Sequence, residues 1–138
     1  MSRFLLDTNI LSEPIKLSPD QRVAERIIEN IPTIAVAAVS FHELVFGCLQ
    51  MPDSRRKRAL DNYIQQNVVA LLPILPYCET AAKWHAEERI RLQQIGKTSP
   101  YIDGQIASVA ATHNLTLVTR NVKDFQYFQG LTIENWFE

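Results

Sequence analysis

Short apolar runs that alternate with helical stretches are the feature that most restricts this chain. Phe4-Leu5-Leu6 is unbroken, and Thr33-Ile34-Ala35-Val36 and Leu115-Thr116-Leu117-Val118-Thr119 are nearly so. Strands that are apolar on both sides belong in a parallel sheet covered on both faces, because a half-exposed strand would alternate with polar residues. Leu71-Leu72-Pro73-Ile74-Leu75 is a weaker fourth candidate, and its proline suits an edge. Leu131-Thr132-Ile133 is a fifth. Between these runs, residues 20–30 place Val23, Ile27 and Ile28 on one helical face, and residues 40–50 do the same with Phe41, Leu44, Val45 and Cys48. Residues 53–66 open on Arg55-Arg56-Lys57-Arg58 and then stripe Leu60 with Ile64. Residues 79–95 align Ala82, His85, Ala86, Arg89 and Leu92, and residues 101–113 align Ile102, Ile106, Val109 and Ala110. Such alternation predicts βαβ units with right-handed crossovers. The 138 residues, 46% hydrophobic and 21% charged, suit one folded α/β domain spanning 1–138 and exclude a disordered tail.

Cys48 and Cys78 stand thirty positions apart, with no C-x-x-C and no histidine at a companion spacing. The opening MSRFLLDTN has too short an apolar run and too early an acid for a secretory leader. No run approaches the ~18 apolar residues of a membrane span. The expectation is a cytoplasmic protein with free buried thiols and no membrane partner, in which the Asn114-Leu115-Thr116 sequon carries no meaning.

The carboxylates fall where such a fold gathers ligands. Asp7 follows the first run directly, Glu43 lies in the first turn after the second, and Asn121 and Asp124 follow the last clear one. In an open parallel sheet the loops leaving the carboxyl ends of strands converge on one rim. Asp103 starts the helix opened by Ser99-Pro100, so topology alone does not bring it to that rim. Several carboxylates in one cleft cannot all ionise without a cation between them. A hard divalent ion held by carboxylates and waters suits metal-assisted hydrolysis. Each residue also has a plainer reading. Asp7 could cap the next helix, and Ser40-Phe41-His42-Glu43 has the form of a capping box. Asp103 would be favoured by the helix dipole alone, and Asp124 could be a turn residue.

Taken together, four segments resemble the PIN-domain family, in particular the VapC-like and FitB-like ribonuclease toxins of bacterial toxin–antitoxin pairs. The first is Phe4-Leu5-Leu6-Asp7-Thr8-Asn9-Ile10-Leu11-Ser12, and the second is Val39-Ser40-Phe41-His42-Glu43-Leu44-Val45-Phe46-Gly47. The third is Tyr101-Ile102-Asp103-Gly104-Gln105-Ile106-Ala107. The fourth is Leu117-Val118-Thr119-Arg120-Asn121-Val122-Lys123-Asp124-Phe125, followed by Gly130-Leu131 and Asn135-Trp136. The resemblance implies a three-layer α/β/α domain on a central parallel sheet of four to five strands. It also implies a Mg²⁺- or Mn²⁺-dependent endoribonuclease that forms a homodimer and is neutralised by a small cognate antitoxin. Carried over by motif, Asp7, Glu43 and Asp103 are the catalytic, metal-holding acids, and Asn9 and Thr119 are polar supports. Many relatives have a fourth acid where this chain has Asn121; Asp124 could replace it, or three carboxylates could suffice. A structured RNA such as tRNA is a plausible substrate of such relatives, with ribosomal or messenger RNA left open. The alternative is a PIN-fold binding module that has lost catalysis and acts with its partner as a repressor or scaffold.

Other signals fall short of their motifs. His42-Glu43 lacks the second histidine of a zinc peptidase, since position 46 is Phe. Gly96-Lys97-Thr98 lacks the earlier P-loop glycine, whose place Arg91 takes. His85 and His113 are expected to be packing or surface residues, and Trp84 and Trp136 packing anchors. Among cations, Arg89, Arg91 and Lys97 precede the Asp103 helix and are the candidates for substrate contact. A net charge of −1 at first argues against nucleic acid. Setting Asp7, Glu43, Asp103 and Asp124 aside as a metal site leaves 14 basic residues against 11 of the 15 acidic ones, a mildly basic remainder.

Overall fold

A computed structural model describes residues 1–138. Its elements in chain order are β1 (Phe4–Leu6), α1 (Thr8–Leu11), α2 (Gln21–Asn30), β2 (Ile34–Ala37), α3 (Ala38–Gln50) and α4 (Arg55–Tyr63). They continue with β3 (Ile74–Leu75), α5 (Glu79–Gln94), α6 (Tyr101–Thr112), β4 (Thr116–Val118), α7 (Val122–Phe125) and β5 (Ile133–Glu134). The five strands form one all-parallel sheet in the order β3-β2-β1-β4-β5. β1 is central, pairing Phe4 with Ile34 on one side and with Thr116 on the other.

Successive strand residues go to opposite faces, and the core divides accordingly. Phe4, Leu6, Ile34, Val36 and Val118 pack with Val23, Ile27, Leu44, Cys48, Ile64 and Trp136 from the α1–α4 side and the C-terminal segment. Leu5, Ala35, Ala37 and Leu117 pack with Ile106, Ala107, Ala110 and Leu92 of α5 and α6 on the other side. Ala35 and Ala37 of β2 share this core with Ala107 and Ala110 of α6. The three-layer arrangement and the five parallel strands agree with the expected α/β architecture.

Several details differ from expectation. The fourth run pairs only over Ile74–Leu75, at the edge, where Pro73 contributes its carbonyl to Val36 N–H at 2.9 Å. The fifth starts two residues later and ends one later than expected, at Ile133–Glu134. Ile28 is 68% exposed rather than on the buried face of α2, which Val23 and Ile27 complete. The buried stripe of α5 is Ala81, His85, Glu88 and Leu92 rather than Ala82, Ala86 and Arg89. Cys48 is buried as expected, but Cys78 is exposed at the start of α5. Of the Ser99-Pro100 pair expected to open α6, Pro100 is the capping residue and the helix begins at Tyr101. The helix after Asp53 runs on past Tyr63 into a wider-wound π-helical segment, Ile64–Val69. No helix is long and apolar enough to cross a membrane.

The C-terminal Trp136 is fully buried, with its ring edge-on to Phe4 at 5.2 Å and its indole N–H donating to Glu134 Oε1 at 3.1 Å. Trp136→Ala is expected to cost about 3–5 kcal/mol, by loss of transfer energy and the cavity left behind. Urea denaturation followed by circular dichroism measures it.

Candidate active site

The carboxyl ends of β1 and β4 meet at Asp7. The sheet bonding extends into this point, with Asp7 N–H donating to Val118 O at 2.9 Å. The Asp7 side chain is buried and serves as a cap, its Oδ1 accepting from Thr8 N–H at 2.8 Å. Its other oxygen, Oδ2, accepts from Thr119 Oγ1 at 2.8 Å and from Asn9 Nδ2 at 3.3 Å. Those two supports are themselves held: Asn9 Oδ1 accepts from Arg120 N–H at 3.2 Å, and Thr119 Oγ1 accepts from Asn121 N–H at 3.0 Å. Capping and site-building are therefore the same contacts for Asp7.

Glu43 arrives from the second strand without a loop, since β2 ends at Ala37 and α3 begins at Ala38. The capping box expected from Ser40 and Glu43 does not form. The capping position is Ala37, Ser40 lies inside the helix, and its hydroxyl is buried without a hydrogen-bond partner. Glu43 is instead tied across the site, its Oε1 accepting from Thr8 Oγ1 at 3.1 Å. Thr8 is a residue that sequence reasoning passed over, although its place beside Asp7 marked it.

Asp103 lies in the first turn of α6 and heads the stripe Ile106, Ala107 and Ala110 that packs on the sheet. That stripe aims Asp103 at the same rim. Burial and then the charges of Asp124, Asp7 and Glu43 raise its carboxyl to about 6. Asp7 is also held above its ordinary value, first by burial and in smaller part by Asp124, against the lowering effect of its hydrogen bonds. The four carboxylates thus share one field. Asp124 supplies negative charge on the side where Asn121 supplies none; Asn121 and Asp124 both line an open cleft of about 350 Å³ with Arg120, Lys123 and Asn135.

These are hard oxygen donors with room for water. No three of them close on one point tightly enough to enclose an ion by themselves. Mg²⁺ needs no such cage, since it keeps several waters and takes one or two carboxylates directly. The donor chemistry and the mutual repulsion fit a divalent cation.

The cations expected to meet substrate separate. Lys97 lines a small cavity with Ser99, Lys123 and Asp124, its ammonium over the Tyr127 ring at 4.5 Å. Arg89 covers the Tyr101 ring at 5.2 Å. Arg91 makes a two-pronged pair with Glu88 at 2.9 and 3.0 Å and also reaches Tyr127 O. Glu88 accepts in addition from Gln129 N–H at 2.8 Å, so Arg91 is committed to holding the loop after α7 against α5.

Comparison with known proteins follows the same outline. The PIN domain family matches residues 4–130. This chain is a member of the PIN domain family. It is similar to the VapC ribonuclease Y4jK of Sinorhizobium fredii, 32% identical over 137 residues that cover 97% of each chain. It is similar also to the tRNA(fMet)-specific endonuclease VapC of Shigella flexneri, 30% identical over 138 residues and 99% of each chain. Among solved structures, the FitAcB crystal structure from Neisseria gonorrhoeae superimposes with a TM-score of 0.90 at 29% identity, covering 98% of this PIN domain and 99% of that chain.

Asp103 gives a pH dependence with a defined sign. Its folded value of about 6 lies above the ordinary 3.8. The group therefore favours the folded state fully below pH 3.8, and that contribution is lost as pH rises through 6. In chelator, Asp103→Asn is expected to be the more stable form at pH 8, by roughly 1–2 kcal/mol after solvent screening. The gap should close toward pH 4, as read from paired thermal melts.

Proposed function

We propose that this PIN domain, acting as one unit over residues 1–138, is the toxin of a type II toxin–antitoxin pair. It is an endoribonuclease that hydrolyses RNA phosphodiesters at a carboxylate-held divalent ion, Mg²⁺ or Mn²⁺, in the cytoplasm. The observation that carries this reading is the shared field at the rim: Asp103 is repelled at once by Asp124, Asp7 and Glu43. A protein gains nothing in stability from such an arrangement unless a cation completes it. The names of the Sinorhizobium and Shigella relatives support RNA as substrate, and the latter supports tRNA as the class. Relatives captured as VapBC with DNA support a cognate antitoxin partner.

Asp7 and Asp103 hold the ion in this reading. When bound, a divalent ion supplies Lewis acidity to the phosphate and lowers the pKa of a coordinated water. Asp7 is fixed for this task by Thr119 and Asn9, so its carboxylate does not have to reorganise. Glu43 has one oxygen occupied by Thr8 and the other left to accept a proton from the attacking water or to orient it. Lys97 and Lys123, beside Asp124, meet the phosphates that flank the cut. Asn121 is the one departure that favours a binding-only module, and the charge of Asp124 on Asp103 argues against it. The active form is a homodimer.

Incubated with total tRNA and Mg²⁺, the wild-type chain is expected to give discrete new ends. Asp7→Asn and Asp103→Asn should each reduce cleavage by about 10³-fold or more while leaving the circular dichroism spectrum unchanged. EDTA should abolish it, and Mn²⁺ should restore it. Cleavage that persists in either variant, or in chelator, overturns the assignment.

A further inference from the structure

We propose that His85 is a positioning residue for Asp103, acting through the backbone of Gly104 and the ring of Tyr101. The inference rests on the reading of Asp103 as a metal ligand and extends it to a residue on another helix that touches no ligand.

His85 is buried on α5, and its Nδ1 lies 2.9 Å from Tyr77 Oη. Its opposite edge faces α6. A Cβ built on Gly104 would stand 2.1 Å from His85 Nε2 and 2.5 Å from Cδ2, a distance no real side chain tolerates. The imidazole therefore fills the space that any other residue at 104 would need, and α6 comes closer to α5 than a helix bearing a side chain there could. One turn earlier, the Tyr101 ring rests on His85 with centroids 4.9 Å apart, and Arg89 covers the same ring. Residues 101 and 104 bracket Asp103 within a single helical turn, and both are seated on α5.

The segment leading into α6 is held at Lys97, whose N–H donates to Leu92 O at 2.8 Å and whose ammonium lies over the Tyr127 ring, but none of these contacts reaches the first turn of α6 itself. Residues 93–98, which lead into it, are all exposed, and Pro100 contributes only its carbonyl, to Gly104 N–H. Helical geometry fixes residues 101, 103 and 104 relative to one another, so the depth at which Tyr101 and Gly104 seat sets where the Asp103 carboxylate stands against Asp7 and Glu43. Burial and Arg89 hold His85 below its usual range, which keeps the imidazole neutral and leaves shape as what it contributes. Residues that orient ligands in this way change metal affinity by about 10–100-fold when lost.

The test is Mn²⁺ binding by the full-length chain, measured by isothermal titration calorimetry beside a urea melt of each variant. Gly104→Ala is expected to weaken Mn²⁺ binding about ten-fold or more, and His85→Ala to weaken it several-fold, both with cooperative unfolding retained. The double variant Gly104→Ala/His85→Ala should recover affinity toward wild type, because the new methyl enters the vacated space. That recovery is a coupling that two independent losses of stability do not produce. Should Gly104→Ala fail to fold, His85→Ala and the double variant still decide the matter. Variants that bind Mn²⁺ as wild type does, or a double variant weaker than either single one, overturn the positioning role and leave the metal reading standing. Absence of Mn²⁺ binding in the wild-type chain overturns both.

Discussion

The hydrogen bond from Thr119 Oγ1 to Asp7 Oδ2 joins the ends of two central strands, and the rest of the rim is arranged around it. A carboxylate buried at a strand end must be given donors or be protonated. Here the donors come from three directions: the helix that Asp7 starts, the side chain two residues on, and the neighbouring strand. Each donor residue is itself occupied by a further backbone N–H or by Glu43. The consequence is a rigid acid whose position is settled by the sheet, with the more loosely seated Glu43 and Asp103 brought to it on helices.

The strand–helix alternation, the apolar runs that became β1, β2 and β4, and the placement of Asp7 at a strand end were legible because they follow from local hydrophobicity and from the rim rule for parallel sheets. What was not legible depends on partners far away in the chain. Ser40 and Glu43 have the spacing of a capping box, yet the cap of α3 lies three residues earlier because β2 feeds directly into it from Ala37. Glu88 belongs to the buried stripe of α5, which an apolar count cannot find, since its burial is made tolerable by Arg91 and the Gln129 amide. Arg91 looked free for the same reason. Gly104 stood in plain view within the third motif, but its need to be glycine is set by His85, nineteen positions earlier.

Net charge misleads for a related physical reason. A total of −1 averages two populations that do not mix. Asp7, Glu43, Asp103 and Asp124 share one field at the sheet rim, and Lys97, Lys123 and Arg120 line the cavities beside Asp124. Such a surface repels a polyanion at its centre and attracts it at its border until a cation neutralises the middle. The same four charges that build the centre are the ones that strain the protein when no ion is present.

The strict division of β1 between two cores carries a consequence for how this motif can vary. Phe4 and Leu6 belong to one core and Leu5 to the other, with Asp7 the next residue out. Removing or inserting one residue between Phe4 and Asp7 would exchange the faces of the strand residues before it and turn the acid away from Thr119. Point substitutions in this segment can be absorbed by repacking, whereas changes of length cannot. Drift across Phe4–Asp7 is therefore confined to exchange of side chains at constant spacing, and the distance from strand to acid is the quantity that descendants of this gene must inherit unaltered.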